Sequence, residues 1–325
     1  MPRLRVARRE EIAAILQESH GLWGAGLTYR AYLEMWLELL ETPWAKRRFR
    51  YLVWVEDDGT VLSSLKLYRP VVRLLGRTGP AAMIGAVFTP RILRGKGHAA
   101  ELIRAVLVEA REEGGTLAML FTDIGVPYYA ALGFRELPAD EAAGRLDRSV
   151  PPPPGWELRP MTAGDLAAVI RAHDDDCADR PVAVLRDREH WEFLLSRAAA
   201  YFARLDGSGL TRRYRVALYR GRFAGYLISL DGEGAWAVRE AGAPGADVGA
   251  LSAILRLGAE EARRAGLRKV HGWFPGGAAE WIPEWHLEYS SRRTAIPMLL
   301  PLDDAASLSP LDAPGASFVP YLDQF

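Results

Sequence analysis

Apolar and polar positions follow the same order twice along the chain. Residues 4–16 and 158–170 each predict a short strand, a cap and a helix. Residues 50–67 and 213–230 each predict a β-hairpin, with β-rich runs around Asp-Asp-Gly in the first copy and Arg-Gly-Arg in the second. A helix end, a glycine stop and a strand then follow in both copies. The repeated order indicates a tandem repeat of one architecture.

The order of the predicted elements indicates the fold class. Each copy runs strand, one or two helices, three strands, helix, strand, helix and closing strands, which is typical of a mixed α/β fold with a central mixed β-sheet flanked by helices. Four prolines at 151–154 can continue neither a helix nor a central strand, and they favour an extended spacer. We therefore predict a first domain at 1–147, a Pro-rich linker at 148–155, a second domain at 156–303 and a tail at 304–325.

Composition excludes several classes of protein. Lys+Arg and Asp+Glu both number 41, so the net charge is zero, and nothing global favours nucleic acid or an acidic membrane as a partner. The single cysteine, Cys177, excludes an intramolecular disulfide framework and a Cys-based metal site, and we expect no metal. No signal peptide precedes Leu4, and no apolar run approaches the ~18 residues that span a bilayer. We therefore expect a cytoplasmic protein.

One glycine-rich basic turn in the first copy carries candidate chemistry. Apolar residues 82–89 predict a buried strand that Pro90 ends, and a helix with a periodic apolar face begins soon afterwards. The turn between them consists of Arg94, Gly95, Lys96, Gly97, His98 and Ala99. The two glycines allow positive φ and close backbone approach, and the helix start offers unpaired N–H groups beside two positive side chains. Such a turn is suited to a phosphate or a pyrophosphate.

Three nucleotide-binding signatures compete for this turn. A P-loop requires G-x-x-x-x-G-K-S/T, which the Lys96-Gly97 pair does not satisfy. A Rossmann fingerprint is a closer rival, because Gly95, Gly97 and Ala100 fit G-x-G-x-x-A and Asp123 ends the next strand. However, five residues separate the strand from the first glycine, whereas a Rossmann turn is tight. Third, Arg94-x-x-Gly97-x-Ala99 resembles the Q/R-x-x-G-x-G/A signature of the GNAT N-acetyltransferases.

A second motif downstream strengthens the third interpretation. The segment Tyr128-Tyr129-Ala130-Ala131-Leu132-Gly133-Phe134 is similar to the F-Y-x-x-L-G-F motif in the last strand–helix unit of the GNAT superfamily. The resemblance covers residues 1 to 147, and the second copy shares the layout without the motifs. The chain thus resembles tandem-GNAT proteins, and more weakly the lysine N-acetyltransferase-like group.

The GNAT resemblance implies roles for individual residues. It implies that acetyl-CoA is the co-substrate, with its pyrophosphate on the backbone N–H groups of residues 94–99. Its pantetheine arm would pair with Val87, Phe88 and Thr89, where a backbone N–H would also stabilise the oxyanion. Tyr129 would protonate the departing thiolate. Asp123 stands where the family often has Asn, so its role as a cofactor contact is open.

The proton acceptor is the missing part of the predicted site. Many such enzymes carry a Glu on the strand before the pyrophosphate loop, and residues 82–89 contain no acidic residue. The candidates are Asp123, His98, Glu34, Glu38 and the tail. The tail ends in aromatic residues, which is unusual for a frayed terminus. Our hypothesis is that Phe325 anchors the tail and that its carboxylate, or Asp323, acts as base or binds the substrate ammonium.

The second copy differs at the position of the pyrophosphate loop. It has glycines there but no Arg-x-x-Gly pattern, and Asp247 would repel a phosphate. We interpret it as a degenerate copy that packs on the first and shapes the acceptor pocket. The predicted function is acetyl transfer to a primary amine of a small, cationic acceptor such as lysine, a polyamine or an aminoglycoside, by a monomer or homodimer. A non-catalytic acyl-CoA-binding or sensing module is the alternative.

Overall fold

The computed structural model describes residues 1–148, 150–205, 207, 209–232, 234–275, 277–303, 308–312 and 319–324. The helices within these residues are α1 (Arg9–Trp23), α2 (Tyr29–Leu40), α3 (Pro43–Arg48), α4 (His98–Glu112), α5 (Val126–Ala130), α6 (Leu166–Cys177), α7 (Arg188–Arg204), α8 (Val248–Arg264) and α9 (Ala278–Trp281). The strands are β1 (Arg3–Val6), β2 (Phe49–Val55), β3 (Val61–Tyr68), β4 (Val71–Leu74), β5 (Arg77–Phe88), β6 (Leu117–Thr122), β7 (Arg135–Glu136), β8 (Asp140–Arg145), β9 (Trp156–Pro160), β10 (Val182–Leu185), β11 (Thr211–Tyr219), β12 (Arg222–Gly232), β13 (Ala235–Gly242), β14 (Lys269–Gly272), β15 (Glu288–Ser291) and β16 (Ile296–Pro301).

Two mixed sheets repeat one pattern. The first has the order β1-β2-β3-β5-β6-β16-β7, and β4 and β10 extend it beside β5. The second has the order β9-β11-β12-β13-β14-β8-β15. In each sheet one central pair is parallel, β5 with β6 and β13 with β14, and the other described pairs are antiparallel. The prediction of two mixed α/β copies with flanking helices is therefore confirmed.

The two sheets exchange strands across the proline segment. Strand β8 precedes that segment but pairs with β14 and β15 of the second sheet. Strand β16 comes late in the chain but pairs with β6 and β7 of the first sheet. The predicted division at 148–155 therefore follows the order of the chain, whereas sheet membership crosses it. Strand pairing is a contact between distant segments, so the local pattern of a strand does not state which sheet it joins.

Helices cover both faces of the first sheet. Helix α4 buries Leu102, Ile103 and Val106 against β3, β5 and β6 on one face. Helices α1, α2 and α3 pack on the other face. Helix α7, which belongs to the second half, joins this packing, because the Trp44 ring stacks on Phe193 with centroids 4.6 Å apart. The two halves therefore meet over one face of the first sheet.

Candidate active site

The glycine turn leaves the start of α4 open. Gly95 and Gly97 have φ of +77° and +84°, in the left-handed region. A Cβ at either position would meet no atom within 4 Å, so backbone conformation rather than packing favours glycine there. Gly97 is the N-cap of α4 and brings no side chain, and the turn is exposed. The first N–H groups of the helix are therefore accessible to an anion.

The strand before this turn is held in place by side chains. The Ser63 hydroxyl donates to the Phe88 carbonyl at 2.9 Å, and its oxygen lies 3.1 Å from the Thr89 hydroxyl oxygen. The Arg94 Nε donates to the Thr89 carbonyl at 3.1 Å, which ties the turn back to the end of β5. The Arg94 and Lys96 side chains are exposed beside the helix start. The turn thus combines an ordered backbone with accessible positive charge.

The second copy is closed at the equivalent helix start. Asp247 is the N-cap of α8, and its carboxylate accepts from the Ala250 N–H at 3.0 Å. The Gly245 N–H just before it donates to the Asp175 carboxylate at 2.9 Å. Carboxylates of the chain therefore occupy the donors that an anion would need. Of these two helix starts, the one at Gly97 therefore stays open and the one at Asp247 is capped.

Strands β5 and β6 separate near the turn. Their parallel pairing covers Ala81–Ile84 on β5 and stops there. On the other edge of β5, Lys66 faces Gly85 and Ser64 faces Phe88, so the β5 residues between them form a bulge. Ala86 within it has φ of +48°. The bulged end of β5 thus has an edge that β6 does not cover, as an extended ligand arm requires.

A large cavity lies between the two halves. Its volume is about 740 Å³. From the first half it is lined by the β5 bulge including Val87, by Asp123 and Tyr129 at the ends of β6 and α5, and by aromatic residues of α1 and α2. From the second half it is lined by α7, β11, β12 and β13, together with tail residues Tyr321, Leu322 and Gln324. The structure thus brings Val87, Asp123 and Tyr129 together at one cavity.

Tyr129 is buried at the wall of this cavity. It is 7% exposed, and its ring packs edge-to-face on Tyr128 and Phe134 at centroid distances of 5.0 and 6.2 Å. Burial, with smaller effects of Tyr128 and Asp123, raises the pKa of Tyr129 to about 12. The hydroxyl therefore keeps its proton at neutral pH and can donate it.

Asp123 has a structural partner as well as a place at the cavity. Its Oδ1 accepts from the Ala295 N–H at 2.8 Å, just before β16. The carboxylate thus links the end of β6 to the strand that the second half contributes. This contact occupies one of its two oxygens.

The other candidate bases lie elsewhere. Helix α2 turns Tyr32 and Trp36 inward, which places Glu34 and Glu38 outside, where they pair with Arg30 and Arg204. Neither glutamate lines the cavity, because the helical period sets them on the opposite face. His98 lies at the start of α4, away from the cavity lining.

The tail reaches the cavity, but Asp323 points away from it. Its carboxylate accepts from Arg186 Nε at 2.8 Å in a buried network. Arg186 also binds both Glu240 oxygens, at 2.8 and 2.9 Å, and the Tyr226 hydroxyl donates to Glu240 at 2.7 Å. Asp323 therefore anchors the tail and does not face a substrate. Phe325 lies outside the described residues, so its predicted role stays a prediction.

The tail also covers the second copy's cleft. The Tyr321 ring lies 4.7 Å from the Trp273 ring, and the Arg239 guanidinium stacks on Tyr321 at 3.8 Å. Arg239 is the bulged residue of β13, so it stands where Ala86 and Val87 stand on β5. The tail thus occupies the edge that the first copy leaves open.

Lys66 is a cavity residue that our sequence analysis did not identify. It is 4% exposed, and its Nζ lies 3.4 Å from the centroid of Trp36 and 3.5 Å from the Tyr32 hydroxyl. The Trp36 ring favours the ammonium form, but burial and the charge of Arg197 oppose it and hold the pKa of Lys66 well below its ordinary value. A lone Lys within the apolar strand VLSSLKLY was the available signal.

Three arginines of the second half are further cavity residues without a signal in the sequence. Arg197, Arg212 and Arg239 line the cavity from α7, β11 and β13. Nothing local distinguishes them among the many arginines of this chain. Only the packing of the halves brings them together.

Two further observations concern metals and membranes. Within the described residues, no group of three or more His, Cys, Asp and Glu side chains is arranged to hold a metal ion. None of the helices described above is both long and apolar enough to cross a bilayer.

Comparison with solved structures identifies the fold. The GCN5-related N-acetyltransferase from Anabaena variabilis ATCC 29413 matches with a TM-score of 0.72 at 15% identity, over 93% of this chain and 73% of that chain. A probable N-acyltransferase from Enterococcus faecalis V583 matches with a TM-score of 0.70 at 16% identity, over 93% and 73%. A tandem GNAT protein from the clavulanic acid biosynthesis pathway matches with a TM-score of 0.52 at 14% identity, over 94% and 100%. At these identities the likeness concerns the fold.

Sequence comparison matches the first part of the chain to a family model. No curated protein matches the chain significantly. A family model, described as an acetyltransferase (GNAT) domain, matches residues 5–137, the part that holds the glycine turn and Tyr129. Residues 5–137 therefore match a GNAT acetyltransferase domain, and the chain as a whole shares the fold of GNAT proteins.

Proposed function

We propose that this protein transfers an acetyl group from acetyl-CoA directly to the primary amine of a small acceptor. One observation carries the proposal: the first copy combines an uncapped helix start, a strand edge that β6 leaves uncovered and a buried tyrosine, and the uncovered edge and the tyrosine line the cavity. The family supports acyl transfer from an acyl-CoA to an amine. We infer an acetyl group in particular from the glycine turn and the motif around Tyr129, which resemble those of N-acetyltransferases.

The first copy's backbone fits the co-substrate. The N–H groups of residues 94–99 would hold the pyrophosphate, because they stand at the positive end of α4 without a capping side chain. Val87, Phe88 and Thr89 would pair with the pantetheine arm along the bulged edge of β5. A backbone N–H at the bulge would donate to the thioester oxygen as negative charge develops on it. Acetyl-CoA supplies the electrophilic carbonyl for the reaction.

Tyr129 would complete the proton balance of the transfer. The amine nitrogen forms a bond to the acetyl carbon, and the bond from that carbon to sulfur breaks. The leaving thiolate takes the hydroxyl proton of Tyr129, which the raised pKa keeps in place until then. The amine loses one proton to a base, and Tyr129 regains its own from solvent.

Two groups remain as candidate bases. Asp123 lines the cavity, although the Ala295 N–H uses one of its oxygens. The carboxylate of Phe325 lies outside the described residues, but Gln324 beside it lines the cavity. A short extension after Phe325 tests the second candidate: turnover equal to that of the unmodified chain would exclude the terminal carboxylate as base.

A thiol-release assay over a panel of primary amines tests the proposed function. We expect release of CoA with at least one amine, and a mass increase of one acetyl group on that amine. Tight CoA binding without thiol release for any amine would favour the acyl-CoA-binding or sensing module instead. A cytoplasmic location, a monomeric or homodimeric state and the absence of nucleic-acid partners stay predictions.

A further inference from the structure

The charges on the second-half wall of the cavity point to the acceptor's chemistry. Arg197, Arg212 and Arg239 line this wall. Among the described lining residues, Asp123 is the only carboxylate, and it lies on the first-half side with a backbone partner of its own. The wall that faces the reaction site is therefore positively charged, contrary to the expectation of a site for a cationic acceptor.

Arg212 is the arginine of this wall with a buried N–H group that lacks a hydrogen-bond acceptor among the described residues. Its guanidinium lies over the Phe202 and Tyr214 rings, at 5.0 and 4.5 Å from their centroids. Its Nη1 is buried, and no described group accepts a hydrogen bond from it. Burial lowers the pKa of Arg212. A buried guanidinium N–H without an acceptor is costly unless a ligand supplies one.

Neighbouring arginines show that this lack of a partner is specific to the cavity face. On the same strand, Arg213 Nε donates to Asp231 at 2.8 Å, and Arg215 Nε donates to Glu261 at 3.0 Å. Side chains alternate between the two faces of a strand, so Arg212 stands on the face opposite to this pair. The chain thus supplies carboxylate partners for Arg213 and Arg215 and, within its described part, none for Arg212.

Arg197 and Arg239, which line the cavity beside Arg212, likewise have no carboxylate partner among the described residues. Arg197 Nη2 donates to the Gln324 carbonyl at 3.2 Å, which leaves its charge without a described carboxylate. Arg239 stacks on the Tyr321 ring and has no ion pair among the residues described. A planar guanidinium binds a carboxylate through two parallel hydrogen bonds. Aromatic side chains, including Trp23, Tyr201 and Phe202, form much of the surrounding wall.

We infer that the acceptor amine carries a carboxylate, bound by Arg212 with Arg197 and Arg239 beside it, and an apolar or aromatic body that packs on the surrounding rings. The inference rests on the proposed function, because it assigns the cavity to the acceptor. It narrows the acceptor class from any primary amine to amino acids and related amino-carboxylates. The alternative partner for these arginines is the chain's own terminal carboxylate at Phe325.

Binding of an unreactive pair of ligands tests the inference. The probes are 3-phenylpropionate and 3-phenylpropionamide, which share an aromatic body, lack an amine and differ in charge. Calorimetry should show the acid binding about 10- to 100-fold more tightly than the amide, as expected for a charge-assisted pair. Arg212→Met should remove this preference, and Arg212→Lys should keep part of it. Arg222→Met, at an exposed position on β12, is the matched control and should keep all of it.

The outcomes separate this inference from the proposed function. Equal affinity for acid and amide, or no binding of the acid at millimolar concentration, would overturn the inference even if thiol release occurs with other amines. A preference that appears only after a Gly-Ser-Gly extension beyond Phe325 would assign the arginines to the terminal carboxylate, and this also overturns it. Failure of thiol release with every amine would instead defeat the proposed function. The two failures are distinguishable, because the binding probes lack an amine and do not react.

Discussion

The glycine turn allows a matched test of the pyrophosphate site. Gly97 and Gly76 both have φ of +84°, both are exposed, and a Cβ at either would meet nothing within 4 Å. Gly97 begins α4, whereas Gly76 lies in the turn between β4 and β5. Substitution by Ala therefore imposes the same backbone strain at both positions, but only one of them lies in the proposed site.

The size of the effect follows from the backbone conformation. The left-handed region costs an L-residue about 1–2 kcal/mol, and the loss of glycine's freedom in the unfolded chain returns roughly 0.5 kcal/mol. Gly97→Ala and Gly76→Ala should each lower the free energy of unfolding by about 1 kcal/mol. In Gly97→Ala, relief of the strain rotates an N–H group away from the pyrophosphate, so affinity for acetyl-CoA should fall about fivefold to tenfold.

Two measurements check this prediction. Chemical denaturation gives the change in the free energy of unfolding, and calorimetry with CoA gives the change in affinity. Gly76→Ala should bind CoA like the unmodified protein. If both variants lose the same stability and Gly97→Ala keeps full affinity, the turn does not hold the pyrophosphate. If Gly97→Ala loses no stability, the argument from φ is wrong.

Three further predictions concern buried groups. Tyr129→Phe should lower kcat about 10²- to 10⁴-fold with little change in KM or thermal stability; an unchanged kcat in the thiol-release assay would remove Tyr129 from the mechanism. Burial opposes protonation of His173, but hydrogen bonds to Cys177 and Glu240 raise the pKa of His173 to about 10 from 6.5. The protonated His173 therefore contributes its full stabilisation below pH 6.5, and this stabilisation is lost as the pH rises toward 10. In His173→Gln the free energy of unfolding should fall less over this pH range than in the unmodified protein. An identical pH profile for the two proteins would contradict this prediction. Because the pKa of Lys66 is lowered, the unfolded chain binds more protons at this residue, and stability rises as the pH approaches 10.5. Lys66→Met should remove that rise and be more stable than the unmodified chain at pH 7 in denaturation series across pH; a variant less stable than the unmodified chain at pH 7 would refute it.

Much of the first domain's chemistry was predictable because it is local. The glycine turn, the helix after it and the motif around Tyr129 depend on backbone preferences and periodicities within a few residues. The same holds for Asp247 at the start of α8, where one side chain caps its own helix. The repeated order of elements likewise predicted two mixed sheets. In each of these cases, the residues that decide the structure are neighbours in the sequence.

The acceptor side was decided by tertiary structure. Arg197, Arg212 and Arg239 come from three elements of the second half and meet Lys66 of the first half only when the halves pack. Glu34 and Glu38, which the sequence offered as candidate bases, turn outward because the apolar face of α2 takes the interior.

The exchange of β8 and β16 between the two sheets was likewise decided by tertiary structure. Each strand has a local pattern that either sheet could accept, and its place depends on hydrogen bonds to strands far away in the sequence. The sequence by itself therefore determined the cofactor turn, the candidate acid and the two-copy order, since short-range backbone conformation sets them. Only the tertiary structure decided which strands close each sheet and which charges face the acceptor, since long-range packing sets both.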